Sequence, residues 1–253
     1  MEFITKSKIT FNEPHFESEE PSINRKKLPS YSEINLENFA GPLRESNKVF
    51  ERFYAGAFPG DNDNGLNDYN LTTLLNFGIN AFVCMQLEYN DAAPENDWRI
   101  WDLSKRPYFK DVERILANRE KYPLLGTSVT DDVTFHHFPI EDLSTISDAE
   151  TLIAAKEVVK LLEQGKTVYL HCWGGHGRTG IIVCLVLHLM FNLSAKEALE
   201  YCDLVHRMRR IQVDVRSPQT EKQRQQVARI INRNLYDATV NYTEQKENET
   251  NFM

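Results

Sequence analysis

Apolar positions along the chain recur with two periods that take turns. VFERFYAGAFPG, residues 49–60, alternates like a half-buried strand and closes in a Pro-Gly turn. DNDNGLND then reads as a loop, and YNLTTLLNFG, residues 69–78, as a short helix stopped by Gly78. INAFVCMQL and VTFHHFPI read as strands at 79–87 and 133–140. SDAETLIAAKEVVKLLEQG is a helix with Ser147 as cap, Glu150 completing the box and Gly165 ending it. KTVYL, residues 166–170, is a strand, and TGIIVCLVLHLM, from 179, an apolar helix. SAKEALEYCDLVHRMRR carries a second capping box, Ser194 with Glu197, and SPQTEKQRQQVARIINRN opens with Ser217 as cap and Pro218 at the first helical position.

Strands alternate with helices throughout. This predicts an α/β fold: a central, mainly parallel sheet with helices on both faces. Residues 1–46 are polar and weakly periodic and read as a mostly flexible arm that packs in part; 47–236 form the domain, and 237–253 a polar tail. Within the domain, 88–131 is a long excursion with Trp98, Trp101, Tyr108 and Phe109 and a helix around FKDVERILANREKY. It is expected to elaborate the surface rather than to wall a substrate site.

Composition narrows the function. Apolar residues make up 41% and charged ones 26%, which suits a soluble globular chain. The formal net charge of −8 argues against a nucleic-acid surface, which needs Lys and Arg to neutralise phosphates. The longest apolar run, IIVCLVLHLMF, is too short to span a bilayer and is interrupted by His188. MEFITKSKIT has no secretory h-region, and Cys84, Cys172, Cys184 and Cys202 lack framework spacing, so reduced thiols in the cytoplasm, or the nucleus, are expected.

One stretch carries chemistry: HCWGGHGRTG, residues 171–180, between strand and apolar helix. Glycines let a backbone turn sharply and approach a ligand. A tight loop entering a helix N-terminus turns several N–H groups inward as an anion nest, strengthened by the helix dipole. Arg178 supplies a planar fork of donors for a tetrahedral oxyanion, and Cys172 opens the loop where that positive field favours a thiolate. A cradle with a nucleophile at its floor points to attack on a phosphoryl group. No metal or other cofactor is called for, and His136, His137 and His176 lack metal-ligand spacing.

His171-Cys172-x-x-Gly175-x-x-Arg178-Thr179 resembles the signature of the cysteine-dependent protein-tyrosine and dual-specificity phosphatases, nearest the atypical dual-specificity branch. The resemblance covers Val49 to Asn234, with 88–131 unmatched. It implies that Cys172 attacks phosphorus while Arg178 and the loop residues Trp173, Gly174, Gly175, His176 and Gly177 hold the oxyanion. Thr179 would assist departure of the sulfur, and His171 would support Cys172 from behind. The family also needs an acid on a loop upstream. FHHFPIEDLSTIS fits, with Asp142 the candidate and the adjacent Glu141 its rival. SPQTEKQ resembles the element that orients water, with Gln219 and Gln223 as its two candidates. Some relatives protect the nucleophile by a disulfide to a cysteine in the region of Cys84, although the placement here does not match theirs well.

The implied substrate is a phosphorylated protein or peptide. Absence of a KNRY-type segment suggests a shallow pocket open to phosphotyrosine and phosphoserine or phosphothreonine. Inositol phosphates are the alternative, weakened because such enzymes carry lysines in this loop. An inactive phosphate-binding module ranks below both. Arg207, Arg209, Arg210 and Arg216 read as a solvated face.

Overall fold

Five strands lie side by side in the order β1-β2-β5-β3-β4: β1 Ser46–Phe50, β2 Phe53–Gly56, β3 Ala81–Gln86, β4 Thr134–Ile140 and β5 Val168–His171. Only the β1–β2 pair is antiparallel; β2, β5, β3 and β4 run parallel. The computed structural model describes residues 28–100, 103–122, 125–126 and 129–233. Residues 1–27 of the expected arm, the tail from 237, and Trp101 lie outside that range. The single strand expected at 49–60 is instead a hairpin that turns at Arg52, whose φ is +64°.

Every residue of β2, β3 and β5 is buried, as expected for parallel strands covered on both faces. Alternation then sorts their side chains between two layers. From β3, Ala81, Val83 and Met85 face the larger core beneath α5 Asp148–Glu163, α6 Gly177–Phe191, α7 Ala195–His206 and α8 Glu221–Asn232. Phe82 and Cys84 face the other way, toward α2 Asn64–Asn76 and α4 Tyr108–Ala117. Helix α6 is apolar on all sides because it lies between the sheet and α5, α7 and α8. It stops at Asn192, which takes the left-handed conformation at φ +57°.

The capping boxes at Ser147 and Ser194 form as expected, and Gly78 and Gly165 follow their helices at positive φ. Helix α2 begins earlier than expected, capped by Asp63, so part of the loop assigned to DNDNGLND is helical. Helix α8 begins later. Its cap is Thr220, in a box with Gln223, and Ser217 packs against the start of α6 instead.

Packing refines one expectation and overturns another. Of the arm expected to pack in part, residues 28–46 do so. A short 3-10 turn at Tyr31–Glu33 and α1 Leu36–Phe39 bury Ile34 and Phe39 in the larger core, and Arg210 donates to the Gly41 carbonyl at 2.6 Å. The excursion 88–131 is not a surface elaboration. Its helix α4 buries Tyr108, Phe109, Val112 and Ile115 against Phe82, Phe135 and Tyr169 and so forms most of the second layer with α2. Each such side chain contributes about 1.5–3 kcal/mol by burial. Arg106, 5% exposed, clamps the segment down through Asp111 at 2.7 Å, the Asp61 carbonyl at 2.9 Å and Asn64 Oδ1 at 2.9 Å. Trp98, on the short helix α3 Glu95–Arg99, has the guanidiniums of Arg99 and Arg106 4.7 and 4.8 Å from the centre of its ring.

If residues 28–46 belong to the fold, Phe39→Ala lowers unfolding free energy by about 3 kcal/mol. Urea denaturation measures this; a change under about 0.5 kcal/mol, as at an ordinary surface site, contradicts the packing.

Candidate active site

The loop 172–176 leaves the C-terminal end of β5, the middle strand, and runs directly into α6. Its shape is set by where its carbonyls go. Trp173 O accepts from Phe58 N at 2.9 Å, Gly174 O from Arg209 Nη1 at 2.8 Å, Gly175 O from Arg209 Nη2 at 2.8 Å, and His176 O from Ser217 Oγ at 2.9 Å. In a planar trans peptide the N–H points opposite to the C=O. Four carbonyls held on the outside therefore turn the N–H groups of residues 174–177 toward the concave side, and the first turn of α6 adds its own. Gly175 makes the turn possible: its φ is +71°, and a Cβ there would lie 2.1 Å from the Gly56 carbonyl oxygen.

Arg209 thus corrects the reading of its arginine cluster as a solvated face. It is 2% exposed, and its Nε donates to Asn47 Oδ1 at 3.0 Å. Burial lowers its pKa to about 10, which leaves it charged at neutral pH. Arg207, Arg210 and Arg216 are exposed.

Cys172 sits at the floor, 3% exposed, and its charge would act on both Arg178 and Arg209. Arg178, in the first turn of α6, is 1% exposed. Its Nη1 is anchored by Glu88 Oε2 at 2.8 Å and the Ile140 carbonyl at 2.9 Å, while Nε and Nη2 are buried with no hydrogen-bond partner. Nε and Nη2 form the side-on edge of the guanidinium, which matches two oxygens of a phosphate. Burial works against its charge, but Cys172, Glu88 and Asp142 outweigh that and raise its pKa. Thr179 Oγ1 is likewise buried and unpartnered.

Asp142 stands on a tight turn whose next residue, Leu143, has φ +57°. Its carboxylate, 56% exposed, lies 2.8 Å from Arg178 Nη2, close enough for an ion pair though not aligned as a hydrogen bond. Glu141 is exposed. The structure brings Gln223 to the loop: its amide lies against Gly177, where a Cβ would come within 2.7 Å of it, and it donates to the Ser144 carbonyl at 3.1 Å. Gln219 is half-buried in the turn ahead of α8.

Behind the loop, His171 is fully buried, and burial lowers its pKa to about 3. The Tyr108 hydroxyl lies 2.7 Å from its Nε2, and its Nδ1 lies 3.3 Å from the Cys172 carbonyl. A carbonyl only accepts, so the proton belongs on Nδ1 and Tyr108 donates to Nε2. His176 is half-buried, and its Nδ1 lies 2.8 Å from His206 Nε2. Burial first, then Arg209, lowers these two pKa values to about 4 and about 2. All four cysteines are free, and Cys84 belongs to the layer opposite the one that holds Cys172. His137 Nε2 is satisfied by the Gln86 carbonyl at 2.6 Å, and His136 lies 3.6 Å from Glu157.

The sequence reading did not place Glu88, Arg209, Tyr108, His206 or Ser217 at the site. Glu88 had one available signal, its position just beyond the C-terminal end of a buried parallel strand, where such folds place ligands. The others come from distant segments with no motif of their own.

Two measurements follow. Arg209→Met is expected to weaken orthovanadate or phosphate binding at least about tenfold by calorimetry, since the freed carbonyls no longer hold the donors inward. Unfolding returns His171, His176 and His206 toward the ordinary value of 6.5, so the unfolded chain takes up more protons below that pH. Tm is therefore expected to fall steadily from pH 7 to pH 5, with His171 alone accounting for about 2 kcal/mol at pH 5. A flat profile over that range contradicts their neutral burial.

The family model described as "Swiss Army Knife protein, DSP-PTPase phosphatase domain" matches residues 104–246, more than half of the chain. Protein 067L of invertebrate iridescent virus 3, named as a tyrosine phosphatase, is 36% identical over 77 residues, 29% of this chain and 32% of its own. Cyclin-dependent kinase inhibitor 3 of Mus musculus is 29% identical over 68 residues, 27% of this chain and 32% of its own. The chain thus spans about a third of the length of each of these relatives. Among solved structures, Tk-PTP in its active form superposes with a TM-score of 0.50 at 18% identity, covering 75% of this chain and 97% of its own, a likeness of fold.

Proposed function

The chain belongs to the DSP-PTPase phosphatase-domain family, and on that footing we propose that it hydrolyses phosphomonoesters of tyrosine, serine or threonine in proteins through a phosphocysteine intermediate. One observation carries the reading: the Nε and Nη2 edge of Arg178, buried without a hydrogen-bond partner and with the Asp142 carboxylate 2.8 Å from Nη2, beside a cysteine at the floor of a bowl of inward N–H groups. Polar groups buried without partners are costly, and a bound oxyanion satisfies them.

In the first step the Cys172 thiolate attacks phosphorus and the bond to the leaving oxygen breaks, with that oxygen taking the proton of the Asp142 carboxyl. Arg178 Nε and Nη2 and the N–H groups of the loop Trp173-Gly174-Gly175-His176-Gly177 hold the equatorial oxygens. In the second step water attacks phosphorus, the P–S bond breaks, and Asp142 accepts the water's proton. Thr179 Oγ1 donates to the departing sulfur. Contact of the Gln223 amide with Gly177 and with the acid turn favours Gln223 over Gln219 as the group that orients the water. His171 and Tyr108 brace the nucleophile from behind. The 2.8 Å approach to Arg178 favours Asp142 over Glu141 as the acid. Trp173 and His176 occupy the loop where lysines would be needed, so nothing favours inositol phosphates. Four free thiols support a reducing location, cytoplasm or nucleus.

The purified chain is expected to hydrolyse an aryl phosphate with EDTA present and to be inhibited by vanadate. Cys172→Ser abolishes turnover, and Asp142→Ala lowers kcat about 100-fold, most for poor leaving groups. No turnover by the wild type under these conditions would refute the reading, and a comparable loss in Glu141→Ala rather than Asp142→Ala would move the acid.

A further inference from the structure

A cavity of about 250 Å³ is lined by Glu88, Leu103, Ser104, Lys105, Asp142 and Trp173. Glu88 and Asp142 both approach Arg178, and Trp173 follows Cys172 in the loop, so this cavity is the mouth of the phosphate bowl. Its lining has two kinds of surface. Glu88 and Asp142 bring carboxylates, whereas Leu103 and Trp173 bring apolar groups that are 74% and 52% exposed. One exposed leucine or tryptophan is ordinary on a protein surface. Two that line the same cavity, next to the nucleophile, form a patch.

The backbone that carries Leu103 is fastened on both sides. Leu103 N donates to the Asp97 carbonyl of α3 at 2.8 Å. The next residue, Ser104, is buried, and its Oγ lies 3.3 Å from the carbonyls of Glu88 and Lys105. Lys105 N donates to the same Glu88 carbonyl at 3.1 Å. Leu103 is thus held in register with the residue whose carboxylate anchors Arg178. The Trp173 ring has its own supports: the Lys105 Nζ lies 4.1 Å from its centre, and the Phe58 ring 5.9 Å. Apolar groups placed in advance cost little ordering when a substrate covers them.

A phosphate seated in the bowl leaves its ester oxygen, and the group bonded to that oxygen, in the mouth. In phosphotyrosine that group is a phenyl ring, which carries no donor or acceptor. Its faces suit Leu103 and Trp173, and its edge, the positive part of the ring quadrupole, suits the Glu88 carboxylate. In phosphoserine and phosphothreonine the oxygen is one carbon away from the main chain. Their peptide groups are drawn into the mouth and give up water against Leu103 and Trp173.

On the phosphatase reading, we propose that Leu103 and Trp173 grip the ring of phosphotyrosine and make the chain selective for it over phosphoserine and phosphothreonine. Leu103 is a specificity-determining residue supplied by the excursion.

The test is calorimetric binding of peptides that share one sequence and differ only in the phosphorylated residue. They are titrated into the full chain carrying Cys172→Ser, which removes leaving-group chemistry from the comparison. The phosphotyrosine peptide is expected to bind at least about tenfold more tightly than the other two. Adding Leu103→Ala is expected to weaken the phosphotyrosine peptide about fivefold and to change the other two by less than about twofold, while Leu103→Met keeps the wild-type preference. Leu103 is mostly exposed, so neither substitution is expected to lower Tm. The chain with Cys172 intact is assayed on an aryl phosphate alongside. If that ester turns over but the three peptides bind alike, no peptide binds, or Leu103→Ala weakens all three equally, the proposal is overturned and the phosphatase reading stands. Absence of turnover of the aryl phosphate overturns both.

Discussion

Everything at the site depends on four carbonyls being held on the outside of one loop. Two of the four are held by a single buried guanidinium, Arg209, with Phe58 and Ser217 taking the others. Backbone N–H groups left without partners inside a protein are unfavourable, and an isolated chain would turn them to water. Here the protein satisfies the opposite side of each peptide, so the donors stay inward before any ligand arrives. Donors fixed in advance do not have to reorganise when an oxyanion binds. The Gly175 backbone is part of the same constraint, because its positive φ and its contact with the Gly56 carbonyl leave no room for a side chain.

The cost of this arrangement is a buried charge, and the surroundings manage it. Arg209 has its carbonyls and Asn47 as partners, which offsets much of its desolvation. Nearby His171, His176 and His206 are held neutral by burial. The positive field at the sulfur therefore comes from two guanidiniums that do not lose their protons near neutrality. Arg178 is partly balanced by Glu88 and Asp142, yet its Nε and Nη2 make no hydrogen bond.

The 88–131 segment joins fold and site. Its aromatic residues help build the second layer, and in that layer Tyr108 meets His171 at the end of β5. Its start supplies Glu88 to Arg178, and its Lys105 returns beside that residue to cover Trp173. A single excursion thus covers one face of the sheet together with α2 and brings Glu88 to Arg178.

The sequence by itself determined the alternation of strands and helices, the two capping boxes, and the loop with its cysteine, glycines and arginine. These are local: each depends on spacing within a few residues, where periodicity, φ preference and capping chemistry act. For the proposed acid it offered Asp142 with Glu141 as its rival, and for the proposed amide Gln219 and Gln223, because neighbours in a turn differ only in direction. Only the tertiary structure separated the members of each pair by position, with Asp142 2.8 Å from Arg178 and the Gln223 amide against Gly177. It alone withdrew Arg209 from a cluster that looked solvated, put residues 28–46 into the core, and turned the excursion into a layer. Such outcomes rest on which distant segments meet, as Asn47 meets Arg209 and Tyr108 meets His171, and a one-dimensional pattern of polarity carries no record of partners so far apart.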